Sequence, residues 1–545
     1  MKTIKFSEYQ SGLGTSYDFN RLSCDLKGAK GVKVIFDSDR YEITADMCTE
    51  RDFRMSNHGH YTPKRIAMLI EDAEDIELDF CGAMLSISGR ITGIAINNSK
   101  RVTVKNAVME NPHTLFMQAK VVAHGDGFID LEPMYGKDEF FVRKGELFSP
   151  AYNNTFTPMQ TYVEYDPEVG EFAHGLMSKS FGDPTQLRYE KLDDGTLRVF
   201  DITRYPPIGR IIILNGAQRY ASGVFCQDSS DLYFENITIH SCYGMGLIAQ
   251  VCENVHLNNF STKRRGDQLY SANADATHFV NCSGTVLVEN CTFEGQLDDA
   301  LNIHGFYTAI VAKTKNELFV KLMHEEAKGL RIYKPGDRIR ILPRNTLLPL
   351  TEKTIKEVEY INIDITRLVL CEDTDDIEVG HAVENISHTA DLVFRNNRIS
   401  ENRARSMLVA ARGKVLIENN YFHSTGTGIY FESDGVYWYE SGATTDVTIR
   451  SNHFDRCKYT GWGEACISGK PREAVEEGRY FHKNITVTGN RFTMVPEFTE
   501  LAAVFDNFEN VVFSDNIIEG NANICIRHVG SYDIQQDVNV TVELK

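Results

Sequence analysis

The chain has no Cys-x-x-Cys pair among its 12 cysteines and no apolar run long enough to span a bilayer. Without cysteines at metal-ligand spacing, neither a zinc site nor a disulfide-stabilised small domain is predicted. The cysteines beside apolar runs are instead expected to be buried free thiols. The first eight residues lack the apolar core of a signal peptide, which predicts a cytoplasmic protein, or a secreted or periplasmic one whose signal has been removed.

Basic residues are the minority among the charged ones. The chain has 57 Lys and Arg against 76 Asp and Glu, a net charge of -19. Such a charge repels phosphate backbones and anionic lipids, so nucleic acid and membranes are disfavoured as partners. A neutral or cationic substrate is favoured instead.

What the chain does contain is a repeat of short alternating strands that end in Asn, Asp or Gly. Segments 231–236 and 254–259 begin 23 residues apart, as do segments 391–396 and 414–419, and other spacings stretch to 31, 32 and 38 residues. A repeat of this length, with two-residue alternation inside each strand, predicts an all-β right-handed parallel β-helix. A leucine-rich repeat would need a leucine consensus and a helical return, and a β-sandwich would show hairpin-turn signals.

Two stretches interrupt this repeat, and both carry short alternating runs typical of antiparallel strands. They are predicted to be small inserted β-barrel-like modules. The second module follows directly after the candidate site described next, so it is expected to form one wall of that site. The predicted divisions are an N-terminal cap with the first coils (1–110), a first module (111–209), central coils (210–306), a second module (307–388) and C-terminal coils (389–545).

Three carboxylates stand out by their spacing: Asp275 precedes Asp298 and Asp299 by 23 and 24 residues. Adjacent coils lie about 4.8 Å apart, so one repeat stacks Asp275 beside the pair, and the surrounding small residues favour the offset of 24. Stacked carboxylates repel one another and raise one another's pKa, which makes them poor structural residues. A calcium site usually gathers more oxygen donors, so no metal or other cofactor is predicted.

Such a cluster suits glycoside cleavage. One carboxylic acid protonates the leaving oxygen while a carboxylate activates water, across a gap of about 6.5–9.5 Å in inverting enzymes. The spacing of Asp275, Asp298 and Asp299 fits this chemistry, but it does not choose which of them donates the proton.

Segments 274–279 (Ala-Asp-Ala-Thr-His-Phe) and 298–305 (Asp-Asp-Ala-Leu-Asn-Ile-His-Gly), with Ser-Asn-His at 56–58, resemble the motifs of glycoside hydrolase family 110. That family comprises α-1,3-galactosidases that remove terminal galactose from blood-group-B-type or linear α-galactosyl glycans. The resemblance extends over nearly the whole chain and includes the two inserted modules. It implies an exo-acting, inverting enzyme with Asp298 as general acid and with Asp275 and Asp299 holding the nucleophilic water as base.

A second resemblance is to the polygalacturonase-like β-helix hydrolases. The pattern 273–275 followed by Asp298-Asp299 is similar to theirs, but the His304-Gly305 pair follows Asp299 after only five residues instead of one further coil. This departure disfavours an acidic pectin substrate. A polygalacturonase-like or other β-helix glycosidase of different sugar specificity, and a non-catalytic glycan-binding β-helix, remain the alternatives.

Several further residues are candidates for binding a glycan with terminal α-galactose. Arg405 aligns with Asp299 one coil later, where it could bind a sugar hydroxyl or serve as the counter-charge. The two tryptophans could stack on the apolar face of galactose or pack in the protein interior. The long lateral surfaces of a solenoid also suggest a homodimer. The candidate set is Asn57, His58, Arg264, Asn302, His304, Arg405, Glu432, Trp438 and Trp462.

Overall fold

A computed structural model describes the chain except at residues 60–61, 114, 151–155, 176–178, 217, 471–473, 496, 521–522, 536–537 and 544–545. Most strands join one continuous set of parallel ladders in which each strand pairs with a strand one coil later. The predicted parallel β-helix is therefore confirmed. Among the described residues, no helix is long and apolar enough to cross a membrane.

The N-terminal end of the β-helix is covered by the helix Thr15–Leu26. Its buried residues Phe19, Leu22 and Leu26 lie on one face, as the spacing of an amphipathic helix requires. A 3-10 turn, Phe6–Tyr9, precedes it and buries Phe6 in the same core. This cap shields apolar side chains that the first coil would otherwise expose.

Three ladders of strands form the walls of the β-helix. The first ladder consists of Lys2–Lys5, Lys30–Ile35, Glu74–Asp79, Lys100–Glu110, Ser230–Ile239, Glu253–Thr262, Ser283–Glu289, Ala390–Arg395, Lys414–Glu418, Asp446–Arg450, His482–Thr488, Leu501–Ser514 and Asn523–Gln535. The second consists of Arg40–Thr44, Met84–Ser88, the ends of three long first-ladder strands, Thr292–Glu294, Arg398–Ser400, Tyr421–His423, His453–Asp455, Arg491–Thr493 and Ile517–Glu519.

The third ladder carries the candidate site. Thr49–Arg51 pairs antiparallel at its start, and the beginnings of Leu501–Ser514 and Asn523–Gln535 continue it near its end. Its other strands are Lys64–Glu71, Ile91–Asn97, Val224–Gln227, Leu247–Gln250, Thr277–Val280, Leu301–Lys313, Met407–Val409, Ile429–Phe431, Ile467–Gly469 and Asn539–Glu543.

The interior is filled by the inward-facing residue of each alternating pair. Phe422, Phe454 and Phe492 stack on successive coils with ring centroids 5.0 and 4.8 Å apart. The cysteines beside apolar runs are buried free thiols, as expected. They are Cys226, Cys242, Cys252, Cys282, Cys291 and Cys466.

A column of buried asparagines lines one corner of the later coils. The backbone N–H and the side-chain Nδ2 of Asn420 both donate to Oδ1 of Asn452 at 2.9 Å. Asn452 in turn donates from Nδ2 to the Ile417 carbonyl and to Oδ1 of Asn490, each at 2.9 Å. The column therefore satisfies buried backbone groups of one coil with side chains of the next.

Replacing Asn452→Ala should lower the free energy of unfolding by about 2 kcal/mol, because buried donors and acceptors on neighbouring coils lose their partner. Urea unfolding followed by circular dichroism measures this change. The matched control is Asn484→Ala, whose exposed side chain donates to the Thr445 carbonyl and accepts from Asn510 Nδ2; because water replaces these exposed partners, the change in stability should be about 0.5 kcal/mol at most. Equal shifts in the two variants would show that the buried column adds nothing.

The first inserted module is a seven-stranded antiparallel sheet with its own apolar core. Its last strand in the chain, Ile211–Asn215, lies beyond the predicted boundary at residue 209. This apolar run has the same composition as a coil strand, but it packs Ile212 and Leu214 into the module core. The sheet order is Glu171–Phe172, Thr161–Asp166, Ile211–Asn215, Met117–Gly125, Phe128–Pro133, Leu197–Phe200 and Arg188–Lys191, beside a 3-10 turn Lys137–Glu139 and a small sheet Phe141–Arg143, Glu146–Pro150 and Phe156–Pro158.

The second module is a closed antiparallel barrel. Strand Leu301–Lys313 begins in the third ladder and continues without a break into the barrel, so the barrel adjoins the coil that carries Asp298 and Asp299. Short strand Glu440–Ser441 pairs with the same strand. The barrel order is Leu301–Lys313, Glu317–Leu322, Ile365–Leu370, Thr351–Tyr360, Arg338–Leu342 and Ala382–Asn385, with a 3-10 turn at Glu325–Ala327.

Candidate active site

The three aspartates lie together at the start of two neighbouring strands. Thr277 pairs with Leu301, which fixes the offset at 24 and places Asp275 beside Asp299. One carboxylate oxygen from each aspartate lies within 4.8 Å of those of the other two. The side chains of Asp275 and Asp299 are 5% and 1% exposed, whereas that of Asp298 is 15% exposed. Asp298 is therefore the carboxylate that reaches furthest towards solvent.

The nearest carboxylate oxygens lie within 4.8 Å of one another, whereas the gap of about 6.5–9.5 Å in an inverting pair is measured between whole carboxyl groups, so the first distance does not decide between inversion and retention. Carboxylates at this distance share protons and titrate as one unit, because ionising one opposes ionising the next. The cluster therefore acts as a coupled group of three.

These aspartates lie at one cavity of about 300 Å³. Nine of the residues predicted from the sequence line it. They are Asn57, Asp275, Asp298, Asp299, Asn302, Arg405, Glu432, Trp438 and Trp462. The structure thus brings together residues from the N-terminal coils, the central coils and the C-terminal coils.

Three predicted binding residues are placed elsewhere. His58 is buried behind the cavity, where Nδ1 donates to the Ser56 carbonyl and Nε2 accepts from the Met245 backbone N–H. Arg264 does not line the cavity and pairs with Glu294 at 3.2 Å. His304 also lies behind the cavity wall, in contact with the Gly305 carbonyl.

Five cavity residues were not identified from the sequence. Arg403 lies two residues before Arg405, so alternation along that coil could have indicated it. The others follow irregular segments whose path the repeat does not predict. The five are Arg219, Arg403, Leu408, Asp434 and Glu440.

Asp298 is held between two guanidinium groups. Arg219 Nη2 donates to its Oδ2 at 2.7 Å, and Arg403 Nη2 lies 3.3 Å from its Oδ1. Burial alone would raise the pKa of Asp298, but the charges of Arg403, Arg219 and Arg405 outweigh it and hold that pKa below its ordinary value. Asp298 is therefore ionised in the empty site.

Asp299 forms a bidentate pair with Arg405. Its oxygens accept from Arg405 Nε at 3.0 Å and from Nη2 at 2.7 Å, and the backbone N–H of Arg405 adds a third bond at 3.0 Å. Burial and the neighbouring carboxylates Asp298 and Asp275 nevertheless raise the pKa of Asp299. Arg405 also lies 5.1 Å from the centroid of the Trp462 ring.

Asp275 contacts a histidine instead of an arginine. Its Oδ2 lies 2.6 Å from Nδ1 of His278, a fully buried residue of the strand Thr277–Val280 that follows Asp275. Burial, followed by the charge of Asp298, raises the pKa of Asp275 against the opposing effect of Arg219 and Arg405. Asp275 is therefore the aspartate without a direct guanidinium partner in the described contacts.

A second group of acidic residues, Glu432, Asp434 and Glu440, also lines the cavity. Burial and the carboxylates Glu432, Asp275 and Asp434 raise the pKa of Glu440 to about 8 against the charge of Arg405. Asp434 accepts hydrogen bonds from three successive backbone N–H groups that end at Trp438, at 2.8, 2.8 and 2.7 Å. These bonds fix the turn that places the Trp438 side chain at the cavity.

Within the part of the chain that the structure describes, two clusters have the spacing of metal ligands: the three aspartates, and Glu171, Glu401 and His423. In the first, the oxygens already bind Arg219 and Arg405. In the second, Arg456 Nη1 lies 2.8 Å from Glu171. Since these cations already neutralise the carboxylates, the donor sets suit salt bridges better than a divalent ion.

Two family models match parts of the chain, and curated proteins are similar to most of it. Residues 317–383 match the model described as GLAA-B beta-barrel domain II, and residues 374–539 match that of a right-handed beta helix region. The chain is 28% identical to alpha-1,3-galactosidase B of Parabacteroides distasonis, covering 92% of this chain and 84% of that protein. It is also 28% identical to an alpha-1,3-galactosidase B of Phocaeicola vulgatus, covering 96% and 92%.

Among solved structures, the family 28 exopolygalacturonase of Yersinia enterocolitica is similar with a TM-score of 0.44 and 10% identity, covering 98% of this chain and 78% of that one. The sequence relatives are similar over far more than the central motifs, since they align across both modules and the coils. The resemblance to the α-1,3-galactosidases that segments 274–279 and 298–305 predict is therefore confirmed over most of the chain.

Proposed function

We propose that the protein is an exo-acting, inverting α-1,3-galactosidase that hydrolyses terminal α-1,3-linked galactose from blood-group-B-type or linear α-galactosyl glycans. The observation that carries this proposal is the convergence of Asp275, Asp298 and Asp299 at one cavity in a chain similar to α-1,3-galactosidases. A cavity of about 300 Å³ lies at the small end of ligand sites, which suits one terminal sugar better than an extended chain.

The position of Asp298 supports its role as general acid. It is the most exposed of the three aspartates, so it can reach a glycosidic oxygen whose leaving sugar extends towards solvent. The deeper Asp275 and Asp299 are placed to hold water beneath the sugar. Entry of an uncharged sugar removes water from Asp298, which raises its pKa towards the value that an acid catalyst needs.

The charge of the cavity supports a neutral sugar over a uronate. Six carboxyl side chains line the cavity against three guanidinium groups, and those three already contact Asp298 and Asp299, which leaves no further cation among the described lining residues for a carboxylate on the substrate. This balance favours galactose over galacturonate. The acidic residues are Asp275, Asp298, Asp299, Glu432, Asp434 and Glu440, and the basic ones are Arg219, Arg403 and Arg405.

Polar and aromatic groups at the cavity are suited to hold galactose. The buried Oδ1 of Asn302 has no hydrogen-bond partner within the part of the chain that the structure describes, which leaves it for a sugar hydroxyl. Trp438 and Trp462 both line the cavity, and the Trp438 ring packs against His324 of the barrel with centroids 4.4 Å apart. These two rings offer the flat apolar surfaces on which a galactose face stacks.

The proposal is tested by incubating the protein with α-1,3-galactobiose, with B trisaccharide and with α-linked digalacturonate, and following products by proton NMR. Free β-galactose should appear first from at least one galactoside, and the digalacturonate should remain intact. Initial α-galactose would refute inversion, and release of galacturonate alone would select the polygalacturonase-like alternative. Binding of the galactosides without cleavage, unchanged when the three aspartates are Asn, would select the non-catalytic alternative.

A further inference from the structure

A chain of hydrogen bonds connects the backbone to the carboxylate cluster through two histidines. His304 Nδ1 lies 2.7 Å from the Gly305 carbonyl oxygen, and its Nε2 lies 3.0 Å from Nε2 of His278. His278 Nδ1 then lies 2.6 Å from Oδ2 of Asp275. The side chains of both histidines are 0% exposed, so each ring nitrogen depends on its protein neighbours.

The donor and acceptor in each of these hydrogen bonds follow from the Gly305 carbonyl at one end of the series. A carbonyl oxygen only accepts, so His304 carries its hydrogen on Nδ1. Burial lowers the pKa of His304 to about 4, and burial followed by the neighbouring His304 and Arg219 lowers the pKa of His278 well below its usual value. Both imidazoles are therefore neutral, and His304 Nε2 accepts the hydrogen of His278 Nε2.

The contact between His278 and Asp275 contains one hydrogen, and its position follows from the tautomer of His278. A neutral His278 with its hydrogen on Nε2 presents a lone pair at Nδ1, and two lone pairs do not approach to 2.6 Å. The hydrogen in that contact must belong to Asp275. Asp275 is thus the protonated member of the cluster, while Asp298 and Asp299 are bound to arginines.

Other charges face this chain from the neighbouring coils. Glu440 Oε1 lies 3.5 Å from His304 Nε2. Burial raises the pKa of the Glu440 carboxyl group. The guanidinium groups favour the ionised form of Asp275, whereas burial and Asp298 favour the protonated form and prevail. The facing groups are Arg219, Arg405, Asp298, Asp299 and Glu440.

We propose that His278 and His304 hold the catalytic proton on Asp275 in the empty enzyme, and that this proton passes to Asp298 when the sugar binds. The proposal rests on the proposed function and deepens it by naming two positioning residues. The cluster oxygens lie within 4.8 Å of one another, a distance that one water molecule or sugar hydroxyl bridges.

One turnover returns both Asp275 and Asp298 to their starting protonation states. Asp298 gives its proton to the glycosidic oxygen as the bond from that oxygen to C1 breaks, and water forms the new bond at C1 and gives a proton to Asp275. Once ionised, Asp275 faces the lone pair of His278, which increases its affinity for that proton. The end state is again protonated Asp275 and ionised Asp298, with one water consumed and no external proton needed.

The tautomers are testable without any activity. In protein labelled with ¹⁵N-histidine, long-range ¹H–¹⁵N correlation spectra at neutral pH should show His278 protonated on Nε2 alone and His304 on Nδ1 alone. The His278→Asn and His304→Asn variants assign the signals. A hydrogen on Nδ1 of His278 would overturn the proposal, and this outcome is readable even if no galactoside is cleaved.

The kinetic test is the pH profile of His278→Asn. An Asn amide can donate to Asp275 and so stabilises its ionised form, which lowers the pKa that His278 keeps raised. The proton is then lost at lower pH, so the fall in kcat/KM at high pH should begin about one pH unit lower, with a loss that grows to about tenfold above both pKa values.

The matched control is His256→Asn, because His256 pairs with Glu289 at 2.8 Å on the outer surface of the β-helix. Its kcat/KM and pH profile should equal those of the unaltered protein. An equal fractional loss at every pH in His278→Asn would mean that His278 only supports the structure, and would refute its role in holding the proton.

Discussion

Asp298→Asn is expected to lower kcat/KM for α-1,3-galactobiose by about 10³-fold, because the amide cannot protonate the leaving oxygen. The loss should be much smaller for an aryl α-galactoside with a strongly acidic phenol as leaving group, since that bond breaks without protonation. Initial rates of galactose and phenol release measure the two effects. The difference between the two substrates distinguishes an acid catalyst from a residue that only binds sugar.

Asp299→Asn provides the comparison, because a residue that holds the attacking water is needed whatever the leaving group. It should lose activity on both substrates to a similar extent. Asp228→Asn serves as the surface control, since Asp228 pairs only with Lys334 in the described ion pairs, and it should leave both rates unchanged. If Asp298→Asn also lost both activities equally, the acid would have to be assigned to another member of the cluster.

The repeat made the fold and the aspartate cluster predictable from the sequence. A β-helix places residues one repeat apart on neighbouring coils, so the spacing of Asp275 and Asp299 translated directly into a contact. Arg405 could be placed for the same reason, because it precedes strand Met407–Val409, which pairs with Leu301–Lys313 in the next coil of the same ladder. Where the ladder is regular, spacing along the sequence therefore predicts which residues are neighbours on adjacent coils.

Residues outside the ladder were not predictable in this way. Arg219 follows the first module, and Asp434 and Glu440 lie in the segment after strand Ile429–Phe431, where no period relates sequence distance to position. His304 shows the opposite error. Its motif suggested sugar binding, and it shares a face of strand Leu301–Lys313 with Asn302, but it lies two residues further along the strand, beside His278 and outside the cavity.

Arg405→Met should lower the free energy of unfolding by about 4 kcal/mol at pH 8, because it leaves the buried carboxylate of Asp299 without its guanidinium partner. It should also abolish measurable galactoside hydrolysis, since Arg405 fixes Asp299 through two side-chain hydrogen bonds. Urea unfolding of the variant and the unaltered protein measures the stability. Arg405→Lys, which keeps the charge but not the bidentate geometry, should be destabilised less.

The loss of stability in Arg405→Met should depend on pH. The loss of Arg405 raises the folded-state pKa of Asp299 further above its unfolded value, so the penalty is present above that folded pKa and declines as pH falls through it. The stability difference should therefore be larger at pH 8 than at pH 5. The double variant Asp299→Asn, Arg405→Met removes the buried charge together with its partner, so it should regain most of the stability but none of the activity. A double variant no more stable than Arg405→Met would show instead that Arg405 stabilises the coil through Trp462 and Glu432, and not through the aspartate.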